Sequence, residues 1–227
     1  MATTDVDICN AALVKIGKPA AITSLTDGSV AANTCAAVYS ISLNTLLAEH
    51  QWSFATVTAL LSLLDNPNSL WGYCYQTPGD LVTPLAVFEY DARGDVMGNA
   101  GSALPLMAAS YQSNLLVGLA NVTQQDYSLE SDAAGNAVIY SNQPNAMLKY
   151  VRFITSAASL PPMFVQAFAC MLASQLAGAM LKGDVGVVAM EKILQAYDFW
   201  LAKAKAADGM RRVVHPRYVP GAIGARY

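Results

Sequence analysis

The chain has 227 residues, 54% of them hydrophobic and only 13% charged, with a net charge of −3. That balance excludes extensive intrinsic disorder, which needs the opposite composition, and the length buries a core without a disulfide framework. The charged share is about half that of an ordinary soluble domain, so part of the surface is expected to face another protein or a lipid.

Thr3 or Thr4 is placed to cap a first helix whose apolar positions Val6, Cys9, Leu13 and Ile16 step by three and four, and Gly17 followed by Pro19 ends it. Asp27 or Ser29 opens a second helix reaching about Glu49, with Cys35, Val38, Tyr39, Leu43, Leu46 and Leu47 inward; the two helices are expected to form a hairpin. After His50 the period changes to two. Residues 52–64 read as strands, the turn 65–68 follows, and Trp71, Tyr73 and Tyr75 alternate with smaller residues. Pro78 and Pro84 bracket a further short strand that ends near Tyr90. Residues 91–123 read as a long insertion. Residues 127–130 and 137–140 flank a hairpin turn at 132–136, and 147–154 reads as another strand.

Pro161 and Pro162 preset the first turn of a third helix that reaches about Lys182 and closes at Gly183. Asp184 caps a last helix in which Val187, Met190, Leu194, Tyr197, Leu201 and Ala204 keep a three-four rhythm as far as Gly209. The expected fold class is α+β. Two N-terminal and two C-terminal helices (1–51 and 155–209) make a four-helix bundle, an antiparallel β-sheet domain (52–154) is inserted into it, and 210–227 is an extended C-terminal arm.

From Phe153 to Leu181 no residue is charged, a length that a membrane-spanning helix needs. Pro161 and Pro162 interrupt it, Gln166, Ser174 and Gln175 lie within it, and no basic cluster or aromatic belt flanks it, so no membrane insertion is expected. Its small residues, among them Ala173, Ala177 and Gly178, let backbones approach closely and are candidates for a subunit interface.

Charge is polarised along the chain. Residues 1–148 carry three bases (Lys15, Lys18 and Arg93) against twelve acids, whereas 149–227 carry ten bases against four. From Gly209 onward there are four arginines and no acid. The arm's prolines and glycines forbid a helix, yet Val213, Val214, Tyr218, Val219 and Ile223 are too apolar for a solvated tail. It reads as a docking segment for an acidic partner, carried by Arg211, Arg212, His215, Arg217, Tyr218, Arg226 and Tyr227.

Catalytic signatures are missing from the sequence. It has two histidines, His50 and His215, and no GxSxG, GxGxxG, GxxxxGK[ST], HExxH or EF-hand loop. The acid pairs Asp91/Asp95 and Glu130/Asp132 would suit glycoside hydrolysis but fall in predicted loops or turns. Cys9, Cys35, Cys74 and Cys170 lack CxxC spacing and sit among apolar neighbours, as small core residues of a reducing compartment do. No cofactor, no metal and no enzymatic activity are expected. The acids of the first ten residues argue against an export signal.

DICNAAL at 7–13 with Gly17, LLAEHQWSFA at 46–55, and WGYCY at 71–75 leading to PGDL at 78–81 resemble the tail tubular protein A family of short-tailed bacteriophages, which are head-to-tail adaptors. The strand at 148–154 and MFVQAFACMLASQLA at 163–177 resemble the family's third helix and its approach. The likeness covers most of 5–90 and 125–207 and rests on patterned apolar and aromatic residues. It implies a homo-oligomeric, dodecameric ring in the neck of the virion, assembled in the host cytoplasm. The helices would form its wall, the arm would grip the portal protein, the tail nozzle protein would follow, and DNA would pass without specific binding. The 91–123 insertion departs from the family pattern, with a fibre or neighbour contact as its expected role. The alternative is a phage-associated glycan or cell-wall hydrolase acting through the acid pairs.

Overall fold

The fold is seen in a computed structural model, whose described residues are 3–89, 125–181 and 184–211. It is α+β, with four α-helices and two antiparallel sheets among those residues. The 91–123 insertion and arm residues 212–227 lie outside them.

Helix α1 (Asp5–Lys15) begins where local chemistry makes it begin. The Thr4 hydroxyl accepts from the Asp7 amide at 3.2 Å, and the Asp7 carboxylate accepts from the Thr4 amide at 2.9 Å. This reciprocal box satisfies two N–H groups that the helix leaves over. At the other end Gly17 turns left-handed (φ 75°), so that its amide reaches the Val14 carbonyl and that of Lys18 reaches Leu13, both at 3.0 Å. Helix α2 (Val30–Ala48) is capped by Ser29, whose hydroxyl accepts from the Ala32 amide at 3.1 Å.

Asp27 organises the loop before α2 by accepting from the amides of Ser29 at 2.9 Å and Thr23 at 3.2 Å. Hydrogen bonding from Ser29 and then Thr23 and Ser24 brings its carboxyl down to about 2. The folded value lies below the unfolded one, so the loop's contribution is present above about pH 4 and is lost as pH falls through about 2. Asp27→Asn is expected to flatten the acid limb of a stability-versus-pH profile in that window. An unchanged limb would show that the loop adds nothing.

Helix α3 (Pro162–Met180) is the central element, with ten side chains buried, and α1, α2 and α4 (Asp184–Gly209) all pack against it. Instead of forming a hairpin that packs on itself, α1 and α2 each rest mainly on α3. They meet where the Tyr39 hydroxyl donates to Asp5 at 2.8 Å. Leu13, Leu46, Leu47, Phe164, Phe168 and Leu176 are fully covered in this core.

The inward line of α4 differs from the expected one. Gly186, Ile193, Tyr197, Leu201, Ala204 and Asp208 are buried, whereas Val187, Met190 and Leu194 face outward. Close approach to the end of α3 decides this. A Cβ on Gly186 would stand 3.0 Å from the Leu181 carbonyl oxygen and 3.2 Å from that of Ala177, so glycine occupies the contact and the valine beside it is turned out. Gly186→Ala gains up to about 1 kcal/mol of helix propensity, but overpacking against two backbone atoms costs about 1–3 kcal/mol. A net loss of about 1 kcal/mol is expected in urea unfolding, and a gain would show that the α3–α4 contact yields easily.

Among the described residues seven strands form two sheets rather than one. The first has the order β1 (Thr56–Leu60), β7 (Ala146–Arg152), β4 (Leu81–Glu89), and the second β2 (Leu63–Leu64), β3 (Tyr73–Gln76), β6 (Ala137–Ser141), β5 (Tyr127–Ser131). Leu61 and Ser62 interrupt the 52–64 stretch and let the chain change sheets. Trp52, Ser53 and Phe54 belong to no strand: the turn Trp52 to Ala55 delivers Trp52 and Phe54 to the helical core, where both meet Phe164. β4 runs through Pro84 and ends at Glu89, close to the expected end near Tyr90. It is the outer strand of its sheet, where a missing amide is tolerated.

The β5–β6 hairpin closes as the sequence indicates. Gly135 is left-handed (φ 86°), and the Asp132 carboxylate accepts from the amides of Ala134 at 2.9 Å and Asn136 at 2.7 Å. Tyr75 lies opposite Ile139, and both are buried.

The described residues fall into two compact units. One comprises 3–57, 79–85, 150–181 and 184–211, with all four helices. The other comprises 58–78, 86–89 and 125–149, with the second sheet; β1, β4 and β7 contribute residues to both.

Candidate interaction surfaces

Of the arm residues singled out from the sequence, Arg211 is described; Arg212, His215, Arg217, Tyr218, Arg226 and Tyr227 lie outside the described residues. Arg211 is exposed, and its amide donates to the Asp208 carbonyl at 3.0 Å. Arg211 thus lies just past the end of α4, and that end is held by its own contacts.

Two carboxylates do the holding, and both stand where a helix disfavours them. Asp208 lies in the last turn of α4 and Glu49 at the C-cap of α2, although the helix dipole prefers cations at a C-terminus. Asp208 is 6% exposed and accepts from the Ser53 amide at 2.9 and 3.1 Å and from the Ser53 hydroxyl. His50 Nε2 stands 3.7 Å from Asp208 Oδ2. Glu49 accepts from the Tyr197 hydroxyl at 2.6 Å and is 3.7 Å from Lys205 Nζ. Burial, followed by that hydrogen bond, pushes the Tyr197 hydroxyl well above its usual range and keeps it a donor. Four contacts therefore fasten the last three turns of α4 to the end of α2 and the turn after it. Sequence reasoning missed Asp208 and Glu49 as partners; an acid at a helix C-terminus was the available signal.

The three candidate interface residues separate. Ala173 and Ala177 are covered by the chain itself, with no exposed surface, and serve the close packing around α3. Gly178 is exposed, with nothing within 4 Å of where a Cβ would stand. Ala173 and Ala177 thus bring helices of one chain together, a role that spacing alone does not distinguish from contact between chains.

A different face has the character of an interface. The outward side of α2 shows Val30, Asn33, Ala36, Ala37, Ser40, Ile41, Asn44 and Ala48, and no residue of the helix is charged. Val30 is 77% exposed and Ile41 66%. A helix face turned to water ordinarily carries charges. On α4, Val185, Val187, Val188, Leu194 and Phe199 are exposed as well, and Lys203 stands over the Phe199 ring at 5.1 Å. By length and composition α2 and α3 could each cross a membrane. However, α3 spends its apolar surface on the core, and Asn33, Ser40 and Asn44 place hydrogen-bonding groups along the outward face of α2, which lipid matches poorly.

The acid pairs do not converge on a site among the described residues. Asp132 is fully committed to the β5–β6 turn, and its carboxyl is lowered chiefly by hydrogen bonds from Asn136. An acid catalyst needs the opposite shift. Glu130 is exposed and accepts from Ser128 at 2.7 Å; Asp91 and Asp95 lie outside the described residues. Among the described residues no group of three or more His, Cys, Asp or Glu side chains could hold a metal ion.

No protein-family model matches the chain. A search of curated proteins likewise finds no match.

Proposed function

We propose that this protein is a virion structural component, a head-to-tail adaptor that assembles as a homo-oligomeric ring between portal and tail nozzle and performs no catalysis. The observation that carries the reading is the outward face of α2: a 19-residue helix without a single charge, presented to solvent by a chain that is only 13% charged. Such a face is hidden when copies pack side by side. Head-to-tail packing closes a ring in which each subunit uses two different surfaces. In this reading the four helices act as one bundle forming the ring wall and the β-rich segment is an insertion in it. The basic segment after Gly209 is the arm that reaches an acidic socket on the portal, launched from the point that Asp208 and Glu49 hold still. A dodecamer, a fibre contact through 91–123, non-specific passage of DNA and assembly in the host cytoplasm belong to the same proposal.

Native mass measurement and electron microscopy, with and without portal protein, test it. Rings of twelve 24.0 kDa chains, alone or on the portal, are expected. Because Ile41 is exposed, Ile41→Asp should leave the fold and Tm of the subunit unchanged within about 0.5 kcal/mol while breaking the ring. Removing 210–227 should abolish portal attachment without unfolding the chain. A monomer that ignores the portal at micromolar concentration defeats the reading.

A further inference from the structure

The sequence has two histidines, and the fold sets His50 beside a buried acid. Its Nε2 is 3.7 Å from Asp208 Oδ2, on a carboxylate that is 6% exposed and otherwise held by the Ser53 amide and hydroxyl, both neutral donors. Among the described residues, His50 is the group within 4 Å of that carboxylate that can carry a positive charge. The imidazole also lies edge-on to Trp52, with ring centroids 4.9 Å apart, and Trp52 is fixed in the core. The ring is thus kept near the acid, while 34% of its side chain stays open to solvent, so that protons reach it freely.

The surrounding charges come from two elements. Helix α2 ends with Glu49 as its cap, which puts the negative end of the helix dipole beside His50. On α4, Lys205 would oppose a charged imidazole, but it stands 3.7 Å from the Glu49 carboxylate, which also accepts from the Tyr197 hydroxyl. Tyr197 stays a neutral donor, and Arg211, just beyond α4, is exposed.

We propose that His50 and Asp208 form a proton-operated latch on the end of α4. When the imidazole is charged, it draws the turn 52–55 and the last turns of α4 together; when neutral, it leaves the Ser53 bonds to hold them. Asp208 and the end of α2 favour the charged ring, whereas partial burial disfavours it. The attraction wins, because a carboxylate so well covered is weakly screened. The folded chain therefore holds this proton more tightly than the unfolded chain does. The latch's contribution is present below the ordinary histidine value of about 6.5 and is lost as pH rises through the higher folded value. Its sign is opposite to that of Asp27, whose contribution disappears in acid.

The latch is weak beside the Ser53 bonds, because its histidine is partly in water. A partly exposed pair changes the population of an opened helix end by about threefold to fivefold. Helix ends open at little cost, so a change of that size is felt there first. The basic segment of the chain begins at this end, and histidine is the side chain that changes charge near neutral pH. The latch stands on the geometry of this corner and does not depend on the adaptor reading.

The test follows the imidazole signals of the full chain by NMR from about pH 5 to about pH 9, with His215→Gln assigning them. Exchange of the amides from Ala204 to Gly209 is measured over the same range and corrected for the intrinsic effect of pH. His50 is expected to keep its proton to higher pH in the wild type than in Asp208→Asn or in the urea-unfolded chain. Protection of the α4 amides should fall about threefold to fivefold as His50 loses its proton, and in His50→Gln it should stay level. The proposal is overturned if His50 titrates no higher than in the unfolded chain, if protection does not follow its titration, or if His50→Gln shows the same fall. Where Asp208→Asn fails to fold, the wild type, its unfolded chain and His50→Gln decide.

Discussion

Trp52→Ala is expected to cost about 3–5 kcal/mol, a large part of the whole stability of a domain this size. Trp52 is 1% exposed, in the turn that leaves α2. Its indole packs edge-on to Phe164 at 5.0 Å and to His50 at 4.9 Å and is tilted against Phe54 at 5.8 Å. The indole N–H donates to the Leu46 carbonyl at 2.9 Å, which satisfies one of the groups that the end of α2 leaves over. Alanine removes the transfer energy of the ring, leaves a void among rigid aromatic neighbours, and strips a carbonyl of its partner. Trp52→Phe restores most of the volume but not the hydrogen bond, and should recover more than half of the loss. Equilibrium unfolding in guanidinium measures both. A cost below about 1.5 kcal/mol for Trp52→Ala would mean that the site collapses freely and that Trp52 is not a keystone of the core.

The second large effect is expected at Asp208. In Asp208→Ala the Ser53 amide and hydroxyl lose a charged acceptor at a site that is only 6% exposed. Hydrogen bonds to charged groups contribute about 1.5–3 kcal/mol each, and a stranded buried donor costs about 1–3 kcal/mol. Opposing this, removal of an acid from a helix C-terminus returns about 0.3–1 kcal/mol. The hydrogen bonds win, and a net loss of about 2–3 kcal/mol is expected. The half-exposed His50 adds little. Ser53→Ala removes the hydroxyl contact alone and should cost about 1 kcal/mol. The two changes should be strongly non-additive, because the double variant has no hydroxyl left to lose. Additive behaviour would show that Asp208 and Ser53 do not act as a clamp. If the adaptor reading holds, Asp208→Ala should also weaken portal attachment, since the arm would then leave from a frayed helix end.

Much of the fold was legible where a few neighbouring residues decide the outcome. Thr4 and Ser29 cap their helices, Gly17 ends α1, and the turn 132–136 closes a hairpin, because each feature depends on hydrogen bonds spanning two to five residues. The misreadings share a cause. The aromatic run after His50 has strand propensity, but Trp52 and Phe54 gain more from Phe164, more than a hundred residues away, than from a ladder. The α4 rhythm offers two overlapping apolar lines, and a steric contact at Gly186 with the end of α3 selects between them.

The interaction surfaces divide in the same way. Low overall charge, the uncharged stretch from Val30 to Ala48 and the basic run after Gly209 are composition, readable without coordinates. Which of those residues face water is not: Ala173 and Ala177 were consumed by the core, while the α2 face was left outside. The sequence by itself determined the fold class, the capped ends of α1 and α2 and the shortage of charge, because propensity and capping act within a turn or two. The tertiary structure alone decided which apolar line of α4 is inward and which donors satisfy Asp208 and Glu49. The first turns on how α3 and α4 approach at Gly186, and the second joins residues 148 and 155 positions apart, where the outcome is set by how whole helices pack.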